Sequence, residues 1–293
     1  MTVDKNYDLG CRLPADDWLW LNGRAIFDDP LLRPYVAPFP PKELMTNVSG
    51  LTNDRDFASH GVDIFRALMQ ASPKPITGYR SILDFGCGCG RLARMLKGHP
   101  NRIVGCDIDE RHVNWVAGNL DYMTACLTSV NPPLPFGDDE FDAIISISIF
   151  THLSEKSQDD FLAELSRITS SDGYLFLTVH GSRAMERAKS EKMIWDMIWV
   201  DEQLFDKACT EFEQNRHAFI LQQGHLTTVG CAGVDKWHKR TVKTVIEEPY
   251  QYGITFIPEQ YIFTHWAKWF HVVEIRRGAI HDFQDIVVLR PRK

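Results

Sequence analysis

The sequence has no apolar run of membrane-spanning length and no run of basic residues. Its 293 residues include 32 Lys and Arg against 39 Asp and Glu, which gives a net charge of -7. An anionic membrane surface or a nucleic acid is therefore a poor match as the main partner. The first residues, MTVDKNYDLG, lack the basic and then apolar pattern of a signal peptide, so we expect a cytoplasmic protein.

The sequence has no regular spacing of cysteines: there are seven, an odd number, scattered through the chain. Cys87 and Cys89 alternate with glycines, where a disulfide or a zinc pair would be misplaced, and Cys106 and Cys126 fall on predicted buried strands. We therefore expect all seven cysteines to be reduced and no metal to be bound. The sequence also lacks internal repeats and low-complexity tracts.

The stretch from Ser81 to Leu92 carries the strongest signal. An apolar, β-prone run ends at Asp84, and three glycines then alternate with other residues up to Gly90. A P-loop would need Lys and then Ser or Thr after its last glycine, and a dinucleotide fingerprint would need a glycine where Arg91 stands. The pattern predicts a strand, a turn whose backbone approaches a ligand closely, and an amphipathic helix with Leu92, Met95 and Leu96 on one face.

A second predicted strand, residues 102–106, ends at Asp107. An acidic side chain about 20 residues beyond the glycines is well placed to accept hydrogen bonds from both hydroxyls of a ribose. Ile108 follows and can pack on an adenine face, and Asp109 is the predicted cap of the next helix. These features favour a nucleoside site over a turn without a ligand.

The D-x-G-x-G-x-G pattern from Asp84 to Gly90 resembles the first motif of the S-adenosylmethionine (SAM)-dependent methyltransferases of the Rossmann-like class. The "PLPF…FD…HL" pattern of residues 133–153 is similar to a large methyltransferase group that acts on small molecules. The resemblance implies SAM as the cofactor. The cofactor-binding residues expected from it and from the strand ends are Asp84, Gly86, Cys87, Gly88, Gly90, Asp107, Ile108, Val130, Asn131, Ser146 and Ile147.

One loop departs from the family pattern. Many relatives place an aspartate after the third strand to bind the adenine amine, whereas this chain has Ser129, Val130 and Asn131 there. The contact would then fall to Asn131 or to the backbone.

Strands alternate with helices, which predicts an α/β fold with a doubly wound, mostly parallel sheet. The resemblance implies seven strands, the last two forming an antiparallel hairpin at one edge. We divide the chain into an N-terminal cover segment with a helix near residues 53–70 (1–75), a SAM-binding half (76–181), a lid insertion (182–256) and the remainder of the sheet (257–293). Ligands of such sheets bind at the carboxyl ends of the strands.

The cover segment and the lid insertion are expected to form a mobile lid that selects the methyl acceptor. The insertion carries several aromatic side chains and histidines: Trp195, Trp199, Trp237, His217, His225 and His238. We expect Trp195 and Trp199 to be core residues of a small cap. Two histidines follow predicted strands, His152 after the fourth and His180 after the fifth, and each is either a general base or a packed, capping side chain.

We therefore expect a SAM-dependent methyltransferase of a small molecule, with oxygen as the first candidate atom and a sugar or glycan intermediate or a secondary metabolite as the acceptor. Methylation of nitrogen or carbon, other chemistry with the same cofactor, and a protein or lipid acceptor remain open. So does a SAM-binding sensor or subunit without catalysis. The sequence gives no indication of the oligomeric state.

Overall fold

The structure is a computed structural model that describes residues 12–223 and 250–293. The chain separates into two compact units, residues 1–128 and residues 129–293. This division does not test the four-part arrangement, which stays a prediction. Within the described residues, every helix is too short or too polar to cross a bilayer.

The first unit begins with helices. Helix α1 (Ala15–Trp20) continues through a π-helical turn (Leu21–Ala25) into Ile26–Asp28, and a 3₁₀ helix covers Pro30–Tyr35. Helices α2 (Lys42–Ser49) and α3 (Asp54–Ala71) follow. The predicted helix near residues 53–70 is confirmed as α3, which begins where the Asn53 side chain accepts a hydrogen bond from the Asp56 amide.

These helices pack on the rest of the first unit through buried contacts. The indole of Trp18 donates to the carbonyl of Met95 at 3.0 Å. The guanidinium of Arg94, fully buried, donates to the carbonyls of Ala37 at 2.8 Å and Pro38 at 2.9 Å. The N-terminal segment is therefore tied to the chain that follows the glycine turn.

Three parallel strands form the first unit's part of the sheet: β1 (Ser81–Phe85), β2 (Arg102–Asp107) and β3 (Thr124–Leu127), in the order β3-β2-β1. Helix α4 (Glu110–Asn119) lies between β2 and β3 in the chain and is capped by Asp109, as predicted. The prediction of an amphipathic helix after the glycine turn is wrong, because only a 3₁₀ turn forms there, at Ala93–Leu96. All four residues of this turn are buried. The side chain of Arg94, which would be the polar face of an amphipathic helix, points inward to the carbonyl of Ala37.

The second unit supplies four strands in the order β4-β5-β9-β8. They are β4 (Phe141–Ser146), β5 (Thr169–Val179), β8 (Phe270–Ile280) and β9 (Gln284–Pro291). Strands β4 and β5 are parallel, whereas β9 is antiparallel to both β5 and β8. Helix α5 (Glu155–Ile168) connects β4 to β5 and is capped by Ser154. The predicted seven-stranded, mostly parallel sheet with an antiparallel C-terminal hairpin is confirmed.

The Asp172-Gly173 pair predicts a turn before the fifth strand, but no turn forms there. Strand β5 already starts at Thr169 and runs through both residues. The register shifts between Phe141, opposite Thr169, and Ala143, opposite Tyr174, so an irregularity in the strand pair accommodates the extra residues.

Residues 182–223 and 250–256 form a small layer of their own. Helices α6 (Ser182–Ser190), α7 (Lys192–Ile198) and α8 (Glu202–Glu213) precede β6 (Ala218–Gln223), which pairs antiparallel with β7 (Tyr252–Phe256). The sequence of residues 182–256 predicts helices in its first half and short β-like runs at 218–221 and 241–246. The helices and the strand at 218–221 are confirmed, and residues 241–246 lie outside the described residues. Helix α9 (Glu259–His265) and a 3₁₀ turn (Trp266–Lys268) lead into β8.

Candidate functional site

The glycine turn of the first unit is shaped by its backbone. Gly86, Gly88 and Gly90 all have positive φ angles, of 76°, 51° and 85°. These are conformations that residues with a Cβ rarely adopt. The amides of Gly86 and Cys87 both donate to the carbonyl of Cys106, at 2.9 and 3.0 Å, which ties the turn to the end of β2.

The side of Gly88 where a side chain would project is occupied by protein. A Cβ added there would lie 2.8 Å from Cγ2 of Val48, at the end of α2. The structure gives two reasons for glycine at this position, the positive φ and the packing of Val48.

Asp107 is held by backbone amides on both sides. Its Oδ2 accepts from the Gly88 amide at 2.8 Å, and its Oδ1 accepts from the Asp109 amide at 2.9 Å. Each carboxylate oxygen retains a lone pair, because it has two acceptor sites. The carboxylate is thus oriented toward the turn with capacity left for two hydroxyl donors. Ile108, beside it, is half-buried.

Asp84, at the end of β1, is a buried carboxyl with an unused oxygen. It is 2% exposed, and its Oδ2 has no hydrogen-bond partner among the described residues. Burial and the neighbouring charge of Asp107 raise its pKa to about 7, against the opposing effect of Arg91. An orphaned acidic oxygen at the glycine turn fits a ligand with a cationic group.

The two cysteines of the turn are packed thiols. Cys89 lies in a buried cluster with Met45 and Phe57, and Cys87 is also buried. Burial raises the pKa of Cys89 to about 12 and that of Cys87 well above its usual value. Neither sulfur is a thiolate near neutral pH, so neither acts as a nucleophile. In the described part of the chain, His, Cys, Asp and Glu form no cluster arranged to hold a metal.

Four predicted cofactor residues belong to the second unit. Val130 is buried and Asn131 is exposed in the loop before β4. Ser146 ends β4 with its hydroxyl buried and lacking a hydrogen-bond partner among the described residues, and Ile147 follows it, also buried. Their contact with the cofactor stays a prediction.

His152 lies six residues after the end of β4. Its Nδ1 is 2.7 Å from the carbonyl of Gly253 in β7, and its ring stacks on Tyr252 with centroids 4.6 Å apart. Part of its surface is accessible, yet the ring is packed among these neighbours, and desolvation lowers its pKa to about 4.

His180 directly follows β5 and is 3% exposed. Its Nδ1 is 3.2 Å from the carbonyl of Thr255, and its own carbonyl accepts from the Ile257 amide at 2.9 Å. Burial, helped by nearby His152, lowers its pKa to about 3. The two imidazole centroids are 6.5 Å apart.

The contacts of these histidines determine their tautomers. A backbone carbonyl only accepts hydrogen bonds, so each Nδ1 must carry the proton. Because both pKa values lie far below neutrality, both rings are uncharged and each Nε2 is an acceptor. The pair therefore offers two neutral acceptors and suits a ligand that donates from O–H or N–H.

Sequence reasoning missed the strand that places this pair. Gly253 in β7 is 101 residues from His152 along the chain, and no local pattern in the sequence indicates a contact over that separation. It also missed Asp285, a buried carboxyl of β9 whose pKa burial raises to about 6. A Cβ added at Gly181 would lie 1.9 Å from the Oδ2 of Asp285. The glycine directly after His180 is therefore the one feature of the sequence that indicates a close neighbour at this point.

The aromatic residues and histidines of the lid insertion lie in different environments. Trp195 is half-buried and packs against Phe205 at 5.0 Å on the edge of the buried cluster of this layer. Trp199, also half-buried, ends α7 in a left-handed conformation, so neither tryptophan is a fully buried core residue. His217 is half-buried, whereas Trp237, His225 and His238 lie outside the described residues.

Comparison with known proteins gives a consistent result. Residues 83–177 match the family model of a methyltransferase domain. An uncharacterized methyltransferase of Schizosaccharomyces pombe is 30% identical over 105 residues, which cover 34% of this chain and 70% of that protein. The cyclopropane-fatty-acyl-phospholipid synthase of Escherichia coli K12 is 24% identical over 129 residues, 44% of this chain but only 31% of the synthase. The chain thus spans less than a third of that relative.

The fold is also shared with a solved structure. The PH0226 protein from Pyrococcus horikoshii OT3 superposes with a TM-score of 0.54 at 16% identity, covering 87% of this chain and 96% of that one. At this identity the likeness concerns the fold alone.

Proposed function

The chain belongs to the SAM-dependent methyltransferases of the Rossmann-like class, and from that premise we propose that it methylates a small molecule, with a hydroxyl oxygen as the first candidate acceptor. The observation that carries the proposal is the pair of uncharged histidines, His152 and His180, each with Nδ1 on a β7 carbonyl. Such a pair favours an acceptor that is itself a hydrogen-bond donor.

The residues of the first unit fit SAM. The cofactor supplies a methyl group already activated by the sulfonium charge. The orphaned oxygen of Asp84 suits the ammonium of the cofactor's methionine part, and Asp107 has lone pairs left for two ribose hydroxyls. The glycine turn lets the backbone approach without side chains. These residues bind and orient, and the acceleration comes from alignment and from exclusion of water.

The low pKa values of the histidines determine what they contribute. A ring with a pKa of about 3 or 4 is too weak a base to deprotonate an alcohol before reaction. It can accept the hydroxyl's hydrogen bond, orient an oxygen lone pair, and take the proton once bond formation makes the oxygen strongly acidic. We assign this role first to His180, the more deeply buried ring, and then to His152.

We also place acceptor selection in the N-terminal cover segment and the lid insertion. Support comes from Val48, which packs against the glycine turn, and from β7, whose carbonyls position both histidines. Amide hydrogen exchange at residues 12–71 and 182–223 should slow when S-adenosylhomocysteine is added, while β1, β2, β4 and β5 barely change. Equal protection everywhere would contradict a lid.

The function is tested by transfer of a labelled methyl group from SAM to a panel of acceptors. The panel contains hydroxylated sugars and glycan intermediates, phenolic metabolites, amines, tRNA and phospholipid vesicles. Transfer to a small hydroxyl compound that becomes slower at low SAM concentration in Asp107→Ala supports the proposal. Transfer to amines alone corrects the acceptor atom, and transfer only to tRNA or phospholipid overturns the small-molecule assignment. SAM binding without transfer to any acceptor would favour a sensor.

A further inference from the structure

A buried histidine lies beside the carboxylate that we assign to the ribose. His112, in the first turn of α4, is 7% exposed. Its Nδ1 is 3.6 Å from Oδ1 of Asp107, and its Nε2 is 4.0 Å from Oδ2 of Asp109. Both distances are too long for hydrogen bonds, and neither nitrogen has a hydrogen-bond partner among residues 12–223 and 250–293. Two unpaired buried nitrogens in one ring are costly, and the cost calls for a physical reason.

Capping of α4 does not supply that reason. The Asp109 side chain already accepts from the Arg111 amide at 3.0 Å, and the Arg111 guanidinium pairs with both oxygens of the same carboxylate. The helix start is therefore satisfied without His112. Asp107, in contrast, is held by two uncharged amides, and the imidazole stands just outside hydrogen-bond distance of its Oδ1.

We propose that His112 is a positioning residue for the cofactor's ribose, acting through Asp107. The neutral ring leaves the Asp107 carboxylate free to accept both hydroxyls. The protonated ring closes the 3.6 Å gap to an ion pair and competes with the ribose for Oδ1. This inference rests on the proposed function, since it requires the ribose to bind at Asp107.

The charges around His112 set the direction of the effect. The carboxylates nearest the ring are Asp107 at the end of β2 and Asp109 at the helix cap, and Arg111 pairs with Asp109. Asp84, at the end of β1, acts indirectly through its interaction with Asp107. A proton on the ring would add an ion pair to Oδ1 of Asp107. Affinity for a ribose ligand should therefore fall when the pH is low enough to protonate the ring.

The test uses adenosine, which carries the ribose but lacks the methionine ammonium that would engage Asp84. Calorimetric titration of the full chain should show binding weaker by about fivefold or more at about pH 5.5 than at about pH 8. His112→Gln, which is neutral at both values, should bind equally at both. Asp84→Asn should keep the pH dependence, and 2′,3′-dideoxyadenosine, without the hydroxyls, should show none in the unaltered protein.

The outcomes separate the two proposals. Adenosine binding that is independent of pH in the unaltered protein, or a pH dependence that persists in His112→Gln, overturns the role of His112 and leaves the cofactor site intact. Absence of adenosine and S-adenosylhomocysteine binding at every pH overturns the ribose assignment and the proposed function with it. Thermal unfolding of His112→Gln at both pH values shows whether the variant is folded, and the pH profile of a folded variant decides the question.

Discussion

The glycine turn of the first unit and the histidine pair of the second unit are built in opposite ways. The turn is held by contacts close in sequence, such as the Gly88 amide on Asp107, 19 residues away. The histidines are held by β7 carbonyls 101 and 75 residues away. The turn uses backbone amides and two carboxylates, whereas the pair uses neutral side chains. A local motif thus supports binding of a cofactor common to many enzymes, and long-range pairing supports the part we assign to the acceptor.

The largest effect should come from a side chain at Gly88. In Gly88→Val, a β-branched residue at φ 51° adds strain of about 1–3 kcal/mol, and its Cβ meets Val48 at 2.8 Å. We expect complete loss of S-adenosylhomocysteine binding in calorimetry and a lower melting temperature.

Two comparisons sharpen this result. Gly118→Ala lies in α4, where the added Cβ comes within 4 Å of nothing in the described residues apart from the helix's own backbone and the adjacent residues, and it should bind normally. Val48→Ala should partly rescue Gly88→Ala, because it relieves the steric contact but leaves the strained φ. Normal affinity in Gly88→Val would show that the turn tolerates side chains. The contrast between a turn built from backbone and a histidine pair built from side chains would then have no basis.

The counterpart in the second unit is His180. His180→Asn keeps an N–H near the Nδ1 position for the Thr255 carbonyl but has no Nε2. If Nε2 accepts the acceptor's proton, turnover should fall by about 10²-fold while SAM affinity is nearly unchanged. Measured rates of methyl transfer and cofactor titration on the same protein separate the two quantities. Near-normal turnover would leave alignment as the source of catalysis and move the test to His152→Asn.

The pH profile provides a further check on His180. Its pKa is lowered to about 3, so the charged form appears only below that value. Above about pH 5 the ring stays neutral, and its titration should cause no loss of rate between about pH 5 and 8. A rate that rises through neutral pH and loses this dependence in His180→Asn would contradict the neutral-acceptor role.

The same contrast explains what the sequence could predict. Asp84, the three glycines and Asp107 follow strand ends in a short motif, so their positions could be predicted before any contact was known. A strand end likewise located His180, whereas His152 lies six residues beyond the end of β4. Their tautomers, their low pKa values and the role of β7 could not be predicted, because burial and partners 101 and 75 residues away determine them.

The errors have the same origin. Leu92, Met95 and Leu96 predicted an amphipathic helix, but Arg94 turns inward to the carbonyls of Ala37 and Pro38, and only a 3₁₀ turn remains. A long-range contact overrode a local pattern. In the same way, Val48 lies against Gly88 although no feature of the sequence links α2 to the turn.

Within the first unit, Asp107→Ala should weaken S-adenosylhomocysteine binding by about 1–3 kcal/mol, because two hydroxyls lose a charged acceptor. The matched control is Asp109→Ala, which removes the α4 cap and its pairing with Arg111 but leaves the backbone amide that holds Asp107. That variant should lose about 0.5–2 kcal/mol of stability and little affinity. If both variants change affinity equally, Asp107 has no special role in the ribose site.

A smaller effect is expected from the charge of Asp84. Burial raises the pKa of Asp84 from its ordinary 3.8 to about 7 in the folded protein, so the folded protein retains a proton that the unfolded chain loses. Stability should therefore fall as the pH rises from about 4 to about 7, and Asp84→Asn should reduce this fall in urea unfolding. SAM affinity should rise over the same range, because the ionised carboxylate pairs with the ligand's ammonium. Asp285→Asn, which removes the buried carboxyl of the second unit, should leave the pH dependence of SAM affinity unchanged.

The smallest effect is expected at Cys89, inside the turn. Cys89→Ala should leave SAM affinity and methyl transfer unchanged and cost about 1 kcal/mol of stability, since it removes one buried sulfur from the cluster with Met45 and Phe57. Its pKa of about 12 leaves almost no thiolate near pH 8, so alkylation followed by mass spectrometry should label it later than the half-buried Cys126. Loss of activity in Cys89→Ala would mean that the sulfur takes part in the chemistry. The turn could then no longer be described as a cofactor site made of backbone and carboxylates.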